Sequence, residues 1–428
     1  MVWGYRAMHI RLVPGAWASV VAAVLVLGST RPAGQTQSPP GQATFRSTTS
    51  LVEVDVMVRD DHNQFVMGLT ADDLNVLEDD KPQVIEQCYL VSTDVGTGVT
   101  SIDGSLAAED DMQSHRLFVL VFDEADLETG ALLHIKQGAL DFLKQQFKPG
   151  DFGGIVVDGQ LYQGKLTRDR STLLSAVRAV KPAFDSRYTR LLPFRQFPRI
   201  PGEAEAERLA SGDPFLTTQL GTEACQVDPI SCSSEGGLLN VENRLQQKAR
   251  LYIGQARDAT RYTLQSLQHV VGALATVPGR KTVVFMSDGF FTSESTSELQ
   301  RLAGMAARAG MAIYAIDARG LSGGPPESAD VLTPEGPILA QLDRTDDGAG
   351  MLADGTGAFV VRHSTDIAHS LSAIADDTST YYVVGYRPTN ATMDGKFRKI
   401  AVKTKRAGLH IRARTGYVAT PLPALVVK

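Results

Sequence analysis

The sequence predicts an α/β protein. Its centre is a doubly wound, mostly parallel sheet with one antiparallel strand, and a β-sandwich-like domain is made from the two ends of the chain. Two stretches predict the sheet. Leu117-Phe118-Val119-Leu120-Val121-Phe122 is apolar at every position and ends in Asp123, and Thr282-Val283-Val284-Phe285-Met286 runs likewise into Ser287-Asp288-Gly289. Strands without alternation suit the middle of a sheet covered by helices on both faces. A helical pattern follows each, so both aspartates fall at the carboxyl edge, where open α/β sheets bind ligands. A third observation predicts the sandwich. Residues Ser50 to Leu90 carry a net charge of −8, and residues Thr378 to Lys428 one of +9. Each end alone is too short to bury a core, and opposite charge favours their pairing.

Taken in order, the chain opens with Arg6, His9 and Arg11 ahead of an apolar run from Ala16 to Leu27 and small Gly28-Ser29-Thr30. Residues 1–30 therefore read as a removable signal peptide, which predicts an extracytoplasmic location, periplasmic or secreted. Residues 31–45, rich in Pro, Gln, Ser and Gly, read as a flexible leader. In the N-terminal β segment, 46–91, Val52, Val54, Val56 and Val58 alternate with Glu53, Asp55 and Met57 as in a half-buried strand. Thr70 and Asp73 have the form of a cap, and Asp79-Asp80-Lys81-Pro82 reads as a turn. Residues 92–114 are polar and read as a linker.

The α/β domain spans 115–377. Ala131, Leu132, Ile135, Ala139, Phe142 and Leu143 recur at helical spacing until Pro149-Gly150. Gly153 to Val157 and Leu161 to Leu166 flank Asp158-Gly159, a hairpin signal that makes the second strand antiparallel. After a short helix begun at Ser171 comes an insertion, 181–247, with prolines at 182, 193, 198, 201, 214 and 229. It reads as a Pro/Ser/Gly-rich loop that emerges at the carboxyl edge, because the following helix, Ala249 to Val277, must descend to feed the strand ending at Asp288. Cys225 and Cys232 lie seven apart within it and are a candidate disulfide, while Cys88 is left as a buried thiol. A helix from Ser297 to Ala309, a strand from Met311 to Asp317, Ala358 to Val361 and a helix from Thr365 to Ala375 complete the sheet. The C-terminal segment, 378–420, returns to strands at Tyr381–Tyr386, Lys399–Lys403 and Leu409–Ala413 and is expected to pair with 46–91.

Phe122-Asp123, Gly279-Arg280-Lys281, Ser287-Asp288-Gly289, Tyr314-Ala315-Ile316-Asp317 and Arg414-Thr415-Gly416-Tyr417 together resemble the von Willebrand factor type A-related proteins of bacteria. The similarity runs from about Ser50 to Tyr417, with one large insertion. It implies a metal-ion-dependent adhesion site, in which an Asp-x-Ser-x-Ser loop, a distant Thr and a later Asp hold Mg²⁺ and leave one position for a partner's carboxylate. Asp123 and Asp288 match that pattern. Ala125 and Leu127 stand where two hydroxyls belong and coordinate nothing; Thr189 is the nearest candidate for the Thr. With Glu124 and Asp126 the loop stays acidic, so the metal candidates are Asp123, Asp288, Asp126 and Glu124, holding weak Mg²⁺ or Ca²⁺, with no certain cofactor. The bland reading is that Asp123 and Asp288 only cap helices. The partner-binding edge then comprises Asp123, Glu124, Asp126, Thr189, Asp288, Gly289 and Asp317.

Other chemistries have little footing. A net charge of −6 argues against nucleic acid. Gly279-Arg280-Lys281-Thr282 lies between a helix and a strand, the reverse of a phosphate loop. There is no Gly-x-Ser-x-Gly elbow and no His-Glu-x-x-His, and the paired acids Asp346-Asp347 and Asp376-Asp377 flank helices, where solvated or capping roles are ordinary. The sequence thus predicts an exported, non-enzymatic protein-binding protein that uses the type A edge and its insertion, with another protein as partner and no membrane span once the signal is removed. The alternatives are a metal-dependent adhesin working through Asp123 and Asp288, and a hydrolase with its active site in the insertion.

Overall fold

The computed structural model describes residues 51–92, 115–127, 129–157, 159–181, 192–195, 198–200, 202–289, 295–318, 348–362 and 364–421. The signal peptide, the leader, nearly all of the linker, Thr189 and Asp346-Asp347 lie outside them.

In chain order the strands are β1 (Val52–Asp60), β2 (Leu74–Glu78), β3 (Lys81–Gln83), β4 (Ile85–Ser92), β5 (Leu117–Phe122), β6 (Phe152–Val157), β7 (Gln160–Leu161), β8 (Lys281–Ser287), β9 (Met311–Asp317), β10 (Val360–Val361), β11 (Thr380–Tyr386), β12 (Phe397–Thr404), β13 (Leu409–Ala413) and β14 (Gly416–Val418). The helices are α1 (Thr129–Gln145), α2 (Arg170–Ala179), α3 (Glu203–Ala210), α4 (Pro214–Val227), α5 (Pro229–Cys232), α6 (Gly237–Leu274), α7 (Thr296–Arg308), α8 (Gly348–Thr356) and α9 (Ile367–Asp377).

The fold is mixed α/β. Its central sheet has the order β10-β9-β8-β5-β6-β7, parallel throughout except for β7. The antiparallel strand sits at the edge of this sheet, not within it, and covers only two residues before a 3₁₀ turn at Tyr162–Gly164. Alternate residues of β5 feed opposite layers: Phe118, Leu120 and Phe122 pack with α1, α2 and α9. Leu117, Val119 and Val121 pack with α6 and α7. That two-sided burial is why the strand carries no polar residue. Where α1 crosses α9 the backbones are close, and a Cβ on Gly138 would stand 2.5 Å from Cβ of Ile367.

Two four-stranded sheets, β13-β1-β11-β4 and β14-β12-β2-β3, make the rest. β1 runs antiparallel to both β11 and β13, and β12 runs antiparallel to β2, so both sheets combine strands from the two ends of the described chain, alternating in the first and meeting at β12 and β2 in the second. Val52, Val54, Val56 and Val58 of one sheet and Leu74, Val76, Ile400 and Tyr417 of the other share one core. Inside it, Tyr386 and Tyr417 both donate to Oε2 of the buried Glu78, at 2.6 and 3.1 Å. Asp79 and Asp80 have positive φ, the turn that joins twisted antiparallel strands tightly. Surface pairs bridge the two ends: Arg406 to Asp73 at 2.7 Å, His410 to Asp61 at 2.9 Å and Arg387 to Glu86 at 3.3 Å. Such exposed pairs contribute little each, roughly 0–1 kcal/mol, and apolar burial supplies most of the stability.

The joint between the sandwich and the α/β layers is ionic. Asp377, 3% exposed, accepts from Tyr314 at 2.7 Å and faces Arg59 and Arg412. This corrects the expectation of a solvated or capping acid. Arg280 pairs with Asp55 at 3.0 Å and lies 3.9 Å above the Tyr381 ring, while the Lys281 ammonium donates to Val277 O at 2.6 Å. Both cations of Gly279-Arg280-Lys281 are therefore structural.

The insertion also departs from expectation. Its described residues are mostly helical: they hold α3, α4 and α5, and α6 starts at Gly237, well before Ala249. Two of the prolines that signalled a loop begin helices. Pro214 and Pro229 stand at the first helical position, behind Asp213 and Asp228, whose carboxylates accept from Leu216 and Ser231 amides at 3.0 and 3.3 Å. Proline lacks only a donor that a first turn leaves unused. Val241, Leu245, Ala249, Tyr252, Ile253 and Ala256 of α6 close a separate core with Ala206, Leu209, Leu216 and Phe194.

Candidate functional site

The sheet order changes direction between β5 and β8. β6 lies on one side of β5, and β8, β9 and β10 lie on the other. The crevice at the carboxyl ends of β5 and β8 is the topological switch point, where such sheets form sites. The two strands are tied there by Asp123 N donating to Met286 O at 2.9 Å.

Beyond β5 the chain rolls into a tight turn, with Asp126 N and Leu127 N donating to Asp123 O at 3.0 and 2.8 Å. The turn sends Leu127 into the core beneath and folds Asp126 back beside Asp123. From the helical layer, Thr263 of α6 brings its hydroxyl to 3.1 and 3.2 Å from the two oxygens of Asp123 and 2.9 Å from Asp126 Oδ2. From β8, Ser287 Oγ donates to Asp123 Oδ2 at 2.7 Å and accepts from Gly289 N at 3.0 Å. Asp123, Asp126, Thr263 and Ser287 are 6, 2, 2 and 3% exposed.

Four side chains from three elements therefore share one buried polar knot. Burial, and then the charge of Asp126, drive the Asp123 carboxyl well above the usual range, against the pull of the Ser287 and Thr263 donors. The proton count agrees: two hydroxyls bring two protons to four carboxyl oxygens, so a carboxyl proton completes the set. The Asp123 carboxyl therefore holds a proton more tightly than an ordinary aspartate, with Asp126 beside it as the acceptor.

A hard cation would suit these donors chemically, all of them oxygen. The geometry is different. Mg²⁺ and Ca²⁺ take oxygens at about 2.0–2.6 Å, whereas the Thr263 hydroxyl stands between the two carboxylates at hydrogen-bond distances. Ala125 offers no donor, Leu127 points into the core, and the knot has no face open to a partner's carboxylate. The residues do not fit an adhesion-type metal site. Among the described residues no group of three or more His, Cys, Asp or Glu side chains is arranged to hold a metal ion.

The structure sorts the predicted edge residues into two sets. Asp123, Glu124 and Asp126 lie under the surface; Asp288, Gly289 and Asp317 remain half-exposed. Gly289 adopts φ 88°, the left-handed region that glycine allows as the chain leaves β8. Thr263 and Ser287 escaped the reading of the sequence. Ser287 stood inside the quoted Ser-Asp-Gly run, and Thr263 could be found as a hydroxyl in the apolar stripe of α6.

α6 joins the knot to the insertion. One stripe runs unbroken from Val241, Leu245 and Ala249 through Thr260 and Thr263 to Leu267, Val271 and Leu274. Its amino-terminal half belongs to the insertion core and its carboxyl-terminal half to the sheet. At about 1.5 Å per residue, the helix reaches roughly 39 Å beyond Thr263 to its start at Gly237. At that far end Cys225 and Cys232 are disulfide-bonded, with Cα atoms 5.5 Å apart. Cys88, by contrast, is a half-buried thiol, its pKa raised by burial.

No protein-family model matches the chain, and no curated protein matches it. Among the described residues no helix is long and apolar enough to cross a membrane.

Proposed function

We propose that the chain is an exported, non-enzymatic protein-binding protein of the von Willebrand factor type A class. Its contact surface is the helical arm that stands on the carboxyl edge, and the polar knot at Asp123 is a joint holding that arm to the sheet. The class rests on the motifs quoted above, on a parallel sheet closed at one edge by a short antiparallel strand, and on strands leading to Asp123 and Asp288 at the switch point. One observation carries the function: α6 runs without a break from the sheet face, past the knot, into a separately cored arm. A surface loop needs no core of its own. A projecting helical bundle fixed to the rigid part of a domain presents a surface.

The test is capture by cross-linking from the source organism's envelope, using the intact chain and one with residues 192–256 replaced by a short linker. Deleting only 184–245 would strip cover from Ala249, Tyr252 and Ile253 of α6 and confound the result. A partner lost with the arm, at an unchanged circular dichroism spectrum of the remainder, supports the reading. A partner retained without the arm overturns it.

The metal-dependent reading draws on the oxygen donors of Asp123, Asp126, Thr263 and Ser287. Calorimetry with Mg²⁺, Ca²⁺ and Mn²⁺ is expected to give no heat; micromolar binding that vanishes in Asp123→Ala would restore that reading. The hydrolase reading would rest on carboxylates as acid and base, since residues 181–247 contain no histidine.

A further inference from the structure

Large apolar side chains are exposed at one end of the arm. Val227, Ile230 and Leu239 are 80, 85 and 60% exposed, and Leu238 stands beside them at 39%. They sit where α4 ends, α5 turns and α6 begins, a corner closed by the Cys225–Cys232 bond. Single exposed aliphatics are ordinary; a group held on a cross-linked corner is not.

The surroundings are just as uneven. From Leu209 to Asn243 there is no Lys, Arg, Trp or Tyr, while Glu223, Asp228, Glu235 and Glu242 lie in that stretch; Asp213 is paired with Arg208 at 2.7 Å, and the cation Arg244 acts on Asp228. The Asp228 carboxylate is held below its usual range by the Ser231 hydroxyl and amide, so the corner keeps its negative charge.

We infer that this corner is the docking end of the arm, and that its occupant is a basic, apolar-centred surface of another protein. The inference rests on the protein-binding reading above and names the partner's chemistry. Aliphatic side chains fixed by a disulfide lose little freedom on binding, which suits an anchor. The acids around them favour a Lys/Arg rim and repel a like corner on a second copy. In the cationic C-terminal segment of a second copy, Arg387, Arg398 and Arg406 already face Glu86, Asp394 and Asp73, which leaves exposed lysines such as Lys399, Lys403 and Lys405 and no arginine rim. Interfacial membrane segments depend on Lys/Arg, and this stretch has none; its one aromatic, the exposed Phe215, lies at the opposite end of α4 from the corner.

The experiment pans a phage library of random 16-residue peptides against the intact chain and measures enriched peptides on variants. The expected result is enrichment of Lys/Arg flanking Leu, Ile, Phe or Trp. Affinity should fall about tenfold in Ile230→Ser and in Val227→Ser, and fall again with added salt. Peptides that bind Ile230→Ser undiminished but lose binding when 192–256 is removed would overturn the docking end alone. Peptides indifferent to the whole arm would overturn the protein-binding reading too. Failure to enrich basic peptides over an Ile230→Ser control also overturns the inference. So does Ile230-dependent binding to phosphatidylglycerol vesicles, or an Ile230-dependent dimer in sedimentation, each of which assigns the corner to another occupant.

Discussion

At the carboxyl edge, two carboxyls and two hydroxyls lie under the surface; at the far end of α6, three large aliphatic side chains and a partly exposed Leu238 lie on it. The two regions are joined by one helix, yet each inverts the usual placement of its residue type. The difference lies in what satisfies each. Asp123, Asp126, Thr263 and Ser287 hydrogen-bond to one another, and those bonds lock α6 against β5 and β8. Among the described residues, nothing closes over Val227 and Ile230 in that way. A polar group buried with partners is a joint; an apolar group exposed on a rigid corner is an unfilled contact.

The largest effect should come from breaking the knot. Thr263→Val keeps the shape and removes a hydroxyl that reaches both carboxyls. We expect a loss of about 2–3 kcal/mol in denaturant unfolding, the range for deleting a buried hydrogen bond to charged groups. A loss under about 0.5 kcal/mol, the scatter of ordinary surface changes, would mean that the knot holds nothing.

Cutting the corner should be next. Reducing Cys225–Cys232 opens a ring spanning seven positions, which the chain-entropy account values at about 2 kcal/mol. Hydrogen exchange should speed up over residues 225–239 and stay unchanged in β5. If β5 loosens equally, arm and sheet are a single cooperative unit, and the separate arm core does not act separately.

A smaller, pH-dependent effect sharpens the contrast from the knot's side. Asp123 holds its proton more tightly folded than unfolded. Between the ordinary carboxylate range and that raised value, the native state binds more protons, so stability falls as pH rises through the window. Asn cannot ionise and removes the fall. Asp123→Asn should match or slightly trail the parent near pH 4 and exceed it at pH 8. Parallel stability curves for the two proteins would show that Asp123 is ionised throughout and would reopen the cation reading.

The sequence made these two regions legible to different degrees. β5 and β8 were plain because burial on both faces leaves an unbroken apolar run, and their order placed Asp123 at the switch point. Thr263 was hidden because its contact spans 140 positions to Asp123 and shows locally only as a hydroxyl in an apolar stripe. The arm was misread for a reason of turn chemistry. Asp-Pro starts a helix as readily as it makes a turn, and Asp213-Pro214 and Asp228-Pro229 both start one. Asp377 was misjudged because a helix-terminal acid is usually solvated, and only the packing of β1 and β13 brings Arg59 and Arg412 to it.

The smallest expected effect decides what the exposed corner is. Ile230→Ser and Val227→Ser remove aliphatic surface that the folded chain leaves in water, so the native state has little burial to lose. Neither side chain belongs to the arm core, which Val241, Leu245, Leu209 and Leu216 close without them. Each variant should unfold within about 0.5 kcal/mol of the parent, the range of surface substitutions that disturb no packing. The same residues buried in a core would cost about 2–5 kcal/mol on truncation, so the two cases are well separated in a thermal melt. A loss of that size would mean that another part of this chain covers the corner. Then the contrast with the knot would vanish, because both regions would be closed from within.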